Sequence, residues 1–194
     1  MDELKRIIAT LITATKIFTG KARLSYAHLL EPNSFYGAEA KYSASIIIPK
    51  SDTQSLEVIQ QAIDNAIKKG IETYGKAFEG GRIHNPLHDG DIEKSGDPAY
   101  ADSYFLNASN KIRPQVIDLK GKILTDPSEV YSGMYAQFSL EFFPYNVSGA
   151  GISVRLGNVL KLEDGEPLGK GSGPVSAAKE FGIKTETAFE DFFK

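Results

Sequence analysis

The sequence predicts a mainly β protein: a small closed barrel of about five strands with one well-formed helix after the second strand, a long loop insertion and a C-terminal tail. Three observations point there. Short runs of alternating apolar and polar residues recur along the chain, as half-buried strands require. One stretch alone has strong helical spacing. No strand–helix–strand alternation announces a parallel sheet, which leaves a small closed barrel as the way to bury the strands. The 194 residues, 41% hydrophobic and 24% charged, suit one globular domain with an embellishment.

The first strand is expected within residues 15–30, where Phe18, Ala22, Leu24 and Tyr26 share one face and Lys21, Arg23 and Ser25 the other. Glu31-Pro32-Asn33-Ser34 reads as a turn. Residues 40–48 form the second strand, with Tyr42, Ala44, Ile46 and Ile48 inward and Pro49 as its stop. A helix follows. Ser51 and Gln54 have capping-box spacing, Leu56, Ile59, Ile63 and Ile67 make an apolar stripe, and Gly70 is a natural stop. Residues 75–103 are rich in Gly, Asp and Pro and read as a loop insertion. Residues 104–118 look like a bent strand broken at Pro114. Residues 133–143 alternate Met134, Ala136, Phe138, Leu140 and Phe142 with polar positions, and residues 151–162 form the last strand. The domain organisation is thus an N-terminal extension (1–14), a barrel domain (15–170) and a linker with tail (171–194).

The net charge of −3 argues on its face against nucleic acid, but its distribution does not. Residues 1–50 carry net +3 and residues 106–161 net +2, whereas 51–105 carry −5 and 162–194 carry −3. The strands are therefore mildly basic, and the insertion and tail are acidic. With no cysteine, disulfides and thiolate chemistry are excluded, which fits a reducing cytoplasm. No apolar run is long enough for a membrane span, and the acidic start and missing cleavage site argue against a signal peptide.

Enzymatic motifs are weak. His84 and His88 stand four apart, with Asp89 and Asp91 after them, but Pro86 between them is incompatible with the helix that would align two metal ligands. Solvated loop histidines are the plainer reading, and a metal-dependent hydrolase the remote one. Gly169 to Gly173 lacks P-loop spacing and reads as a linker. No enzyme activity, cofactor or metal is expected.

A binding function fits better. Cations neutralise phosphates and flat rings stack on bases of any identity. The basic strands supply Lys21, Arg23, Lys41, Tyr104, Lys111, Arg113, Tyr131, Tyr135, Phe143, Tyr145 and Arg155 as candidate DNA contacts, with Arg23, Lys41, Tyr135 and Arg155 favoured by their polar strand face. Tyr26 and Tyr42 fall on the apolar face and read as core. In the tail, Glu186, Phe189, Glu190, Asp191, Phe192 and Phe193 could compete for a basic groove or dock on replication or recombination partners; an amphipathic terminal helix packed on the barrel is the alternative.

Several stretches, in order, resemble a known family. They are Thr19 to Tyr26, Lys41-Tyr42-Ser43 through Ile48 to Asp52, Pro86 to Asp91, Tyr104 to Ala108, Arg113 to Val116, Val130 to Gly133, Phe142 to Tyr145, Gly151 to Leu162, and Asp164-Gly165-Glu166. The chain from about residue 15 to 170 is similar to phage single-stranded DNA-binding proteins typified by an enterobacterial phage protein, a family once catalogued as a domain of unknown function. The resemblance implies an OB-type barrel, sequence-independent binding of single-stranded DNA, no catalysis, and action in host cytoplasm during phage replication or recombination. A homo-oligomer is compatible with it. The competing reading is a structural virion or protein-interaction module that uses the same barrel without DNA.

Overall fold

The computed structural model describes residues 7–34 and 37–169. In chain order it contains β1 (Thr10–Leu11), β2 (Lys16–Phe18), β3 (Ala22–Asn33), β4 (Lys41–Pro49), α1 (Thr53–Tyr74), α2 (Lys76–Glu79), β5 (Leu87–Asp89), α3 (Gly90–Glu93), a 3₁₀ turn (Pro98–Tyr100), β6 (Ser103–Asn110), β7 (Val116–Ile117), β8 (Tyr135–Asn146) and β9 (Ala150–Glu163).

Five strands close a ring in the order β8, β3, β4, β6, β9 and back to β8. All neighbours in the ring are antiparallel except β6 and β9, which run parallel. This is the five-stranded Greek-key barrel of the OB type. The alternation in the sequence sets its lining: Leu24, Ile46, Ile48, Leu106, Phe138, Leu140, Phe142, Val154 and Leu156 are all buried in one cluster. Burying each such side chain contributes roughly 1.5–3 kcal/mol.

Helix α1 closes one end of the barrel. Ile59, Ala62, Ile63 and Ala66 join the same core. Its N-cap is Asp52 rather than the expected Ser51. The Asp52 carboxylate accepts from the Ser55 backbone N–H at 3.0 Å and from the Ser55 hydroxyl at 2.6 Å, while the Ser55 hydroxyl oxygen accepts from the Gly20 N–H at 3.1 Å. One cap thus fastens the helix to the link between β2 and β3. The helix also runs through Gly70, the expected stop, to Tyr74. Gly70 is buried, and the Phe78 ring occupies the space where its side chain would stand.

Other expectations are corrected in detail. The first predicted strand is interrupted at Thr19-Gly20-Lys21, so Ile17 is buried and Phe18 is 40% exposed. Glu31 to Asn33, read as a turn, continue β3. The insertion between α1 and β6 is more ordered than its composition suggests. His84 bridges to Gly151 of β9, β5 pairs with β6, and Phe78 and Tyr100 are buried.

Candidate nucleic-acid interface

Ring closure leaves one broad outward face across β4, β6, β9 and β8. Register places Ser45 beside Asn107 and Ser43 beside Ser109. Ser109 then pairs with Arg155, Arg155 with Glu141, and Ser153 with Phe143. Lys41 and Lys111 flank the next pair along, Tyr42 with Asn110. Between β4 and β6 the floor is therefore made of short polar side chains. This leaves it low, so the taller residues around it form walls.

Two hollows lie on this face and share Asn107. The first, about 400 Å³, is lined among others by His84, Pro86, His88, Tyr145, Val147 and Ser153. The second, about 300 Å³, is lined by Tyr26, His28, Ser43, Ser45, Lys94 and Ser109. Together they make a trough running across the strands. Its walls carry rings held in place from behind. His88 stacks on Phe105 with centroids 4.9 Å apart and planes 20° from parallel. The Tyr145 ring lies over Gly151, where any side chain would collide with it. Lys94 stands 5.2 Å from the centroid of Tyr26.

Of the eleven contacts anticipated from sequence, Tyr145 lines the trough directly. Phe143 and Arg155 stand next to it, the guanidinium 4.8 Å from the ring centroid and ion-paired to Glu141 at 2.7 Å. Lys41 and Lys111 are at the end of the same strands, Lys111 paired with Glu39 at 2.6 Å. Arg113 is exposed in the segment after β6. The other five line neither hollow. Lys21 pairs with Glu163 at 3.0 Å, and Arg23 donates to the Gly133 and Glu166 carbonyls; both cations stand within 6 Å of the Tyr135 centroid, at 5.3 and 5.7 Å. The Tyr131 hydroxyl donates to the Asp164 carboxylate at 2.9 Å and accepts from the Gly165 N–H at 3.2 Å, and burial pushes this phenol above its ordinary pKa. These four residues bind residues 163–166 of the chain itself. Leu168 follows, packed on Ile47, Tyr100 and Phe105. Tyr104 lies instead beneath Lys50, 5.0 Å away.

Residues that line the hollows but were not among the eleven candidates include Tyr26, His28, His84, His88, Lys94 and Asn107. Tyr26, read as core, is 55% exposed. A register shift between Ser25 and His28 and a φ of 47° at Tyr26 turn its side chain outward. A Tyr in an otherwise apolar alternation gives no sign of such a bulge. The histidines reach the trough because the insertion is folded on the barrel. His88 sits on β5, where its Nδ1–H donates to the Glu93 carboxylate at 2.9 Å.

The insertion is fastened by an ion cluster. Lys50 donates to Asp91 at 2.7 Å and to Asp89 at 2.9 Å. Asp91 and Asp89 hold the Lys50 ammonium well above the usual lysine pKa. Lys50, with help from the Asp102 N–H, holds the Asp91 carboxyl below the usual carboxylate range. Among the described residues no group of three His, Asp or Glu side chains is arranged to hold a metal ion.

Comparison with known proteins gives a consistent picture. Residues 15–193 match the model of a family described as the Enterobacter phage Enc34 single-stranded DNA-binding protein. A protein designated p50 from Acyrthosiphon pisum secondary endosymbiont phage 1 is 37% identical over 174 residues, 86% of this chain and 92% of that protein. The structure of the bacteriophage Enc34 single-stranded DNA-binding protein in complex with single-stranded DNA is similar at a TM-score of 0.68 and 23% identity, covering 85% of this chain and 99% of that one. Bacteriophage T7 gp2.5, a single-stranded DNA-binding protein, is similar at a TM-score of 0.57 and 18% identity, covering 87% of this chain and 95% of that one.

Proposed function

The chain belongs to the family of the Enterobacter phage Enc34 single-stranded DNA-binding protein, and on that premise we propose that it coats single-stranded DNA without reading its sequence, in phage DNA replication and recombination. The observation that carries this reading is the trough. Rings at Tyr26, His88 and Tyr145 offer stacking surfaces that any base satisfies, worth roughly 1–3 kcal/mol per base. Serine hydroxyls and the Asn107 amide offer donors to phosphate and sugar oxygens. No carboxylate lines either hollow among the described residues, so a polyanion meets no fixed repulsion there. Lys41, Lys111, Arg113 and Arg155 supply positive charge at the margin. Phe143 adds a ring beside Arg155. The chemistry is positioning and neutralisation; no bond is made or broken.

In the same reading the protein works in the host cytoplasm, and the C-terminal residues Phe189, Glu190, Asp191, Phe192 and Phe193 dock on replication or recombination proteins. Those residues lie outside the described part of the structure; their negative charge and terminal rings support the reading. The test is a fluorescence titration with poly-dT and with unrelated mixed sequences at two salt concentrations. Binding of all of them, weakening steeply as salt rises, is expected. Absence of binding at low salt would mean that the barrel serves as a protein-interaction module instead.

A further inference from the structure

We infer that three imidazoles set the affinity of the trough, so that binding to single-stranded DNA tightens as pH falls from about 8 to about 6. The inference rests on the reading of the trough as the DNA site. The chain has three histidines. All three line the trough: His84 and His88 the first hollow, His28 the second. Among the described residues one fixed cation, Lys94, lines the two hollows. At the margin, Lys111 and Arg155 are already matched by Glu39 and Glu141, and Lys41 and Arg113 line neither hollow. The permanent positive charge facing a bound strand is therefore small. The three imidazoles are the largest reserve of charge that added protons can supply there.

Each ring has defined neighbours. His28 Nε2 stands 3.3 Å from the Asn33 side-chain amide and shares its hollow with Tyr26 and Lys94. His88 Nδ1 lies 2.9 Å from both Glu93 oxygens, and its ring rests on Phe105. Asp89, its neighbour on β5, is turned to Lys50. When His88 is protonated, Nδ1–H donates to Glu93 and Nε2–H is left for a phosphate oxygen. His84 is fixed through its backbone, donating to the Ala150 carbonyl and accepting from the Ile152 N–H, both at 3.0 Å. Its ring shares the first hollow with Tyr145 and His88, and among the described residues no Asp, Glu, Lys or Arg lines that hollow.

The consequence follows from linkage. A phosphate beside an imidazole favours its protonated form, so DNA binding takes up protons. By reciprocity, added protons strengthen DNA binding. Each imidazolium that meets a phosphate also adds up to about 0.7 to the salt exponent on a single strand.

The test is a titration of the full chain with a dT oligonucleotide at about pH 8 and about pH 6, at matched ionic strength. Calorimetry in two buffers of different ionisation enthalpy, run beside it, counts the protons taken up. For the unaltered chain, Kd should fall on the order of tenfold or more, the salt dependence should steepen, and proton uptake should be measurable. In a variant carrying His28→Asn, His84→Asn and His88→Asn, the ratio of Kd between the two pH values should shrink to about twofold or less. If the unaltered chain binds at both pH values with the same Kd, salt exponent and no proton uptake, the inference is overturned while the coat-protein reading stands. The same holds if the variant keeps the full pH ratio. Failure to bind at either pH overturns both. Proton uptake needs no variant, so poor folding of the triple substitution leaves the inference testable.

Discussion

At Tyr26 a single backbone angle decides what a ring is for. In the left-handed region a non-glycine side chain is held at some energetic cost, and here it sends a phenol out of the barrel wall to stand under Lys94. Tyr145 reaches the trough by a different route, lying across Gly151 at the base of the hairpin between β8 and β9. Tyr135 has equally good cations beside it, but Gly165 and the segment around it are packed against its ring. These differences lead to unequal outcomes. Tyr26→Ala and Tyr145→Ala should each weaken oligonucleotide binding by about 1–3 kcal/mol. Tyr135→Ala should lower the melting temperature and leave Kd nearly unchanged. Parallel titrations and thermal unfolding of the three variants check this; a large loss of affinity confined to Tyr135→Ala would place the strand elsewhere. From sequence, the surroundings of Tyr26 and Tyr135 could not be read, because strand parity alone put the first inside and left the second uncovered. Parity fails at a bulge, and it says nothing of a returning segment that covers an outward face.

The elements that repeat a period were legible, and those defined by a clamp were not. The alternation of Ile46 and Ile48 with Ile47, or of Phe138, Leu140 and Phe142, is enough to locate strands and their inner faces. Nothing periodic marks the insertion. What holds it is β5 against β6, Tyr100 beneath Phe105, and the Lys50 ion cluster, all of which depend on residues distant in sequence. Because β5 carries His88 and the segment before it carries His84, docking of the insertion and completion of the trough are one event. The pH behaviour of the clamp follows from its shifts. The Asp91 carboxyl is lowered in the folded state, so its contribution is present above the ordinary carboxylate pKa and is lost as pH falls through the lowered value. Lys50 is raised, so its contribution is complete below the ordinary lysine pKa and is lost only as pH rises through the raised value. Docking should therefore be constant from about pH 5 to about pH 9 and loosen in acid. Lys50→Met should loosen it at neutral pH, leaving Asp89 and Asp91 to repel one another. Hydrogen exchange at Leu87 to Asp89 reads this directly: faster exchange and weaker DNA binding are expected in the variant, and unchanged exchange would show that the clamp is dispensable.

For the whole molecule, a net charge of −3 conceals a division of labour. Acidic side chains gather in the insertion and the C-terminal part. Many of the acids that approach the barrel are spent on local partners, such as Glu163 on Lys21 and Asp164 on Lys161, which lowers the Asp164 pKa. The ring closure then turns β4, β6, β9 and β8 into one surface whose floor between β4 and β6 is low and uncharged. Closure was legible as a strand count; the trough was not, since it crosses strands and its walls come from the insertion, the β8–β9 hairpin and a bulge in β3. The most direct test of the trough is to map a bound strand by amide and side-chain NMR shifts, or by photocrosslinking, on adding a dT oligonucleotide. The expected result is that Tyr26, His28, His88, Lys94, Asn107 and Tyr145 respond together, while Lys21, Tyr131 and Tyr135 do not. Responses confined to Lys21, Arg23, Tyr131 and Tyr135, with the trough silent, would contradict it.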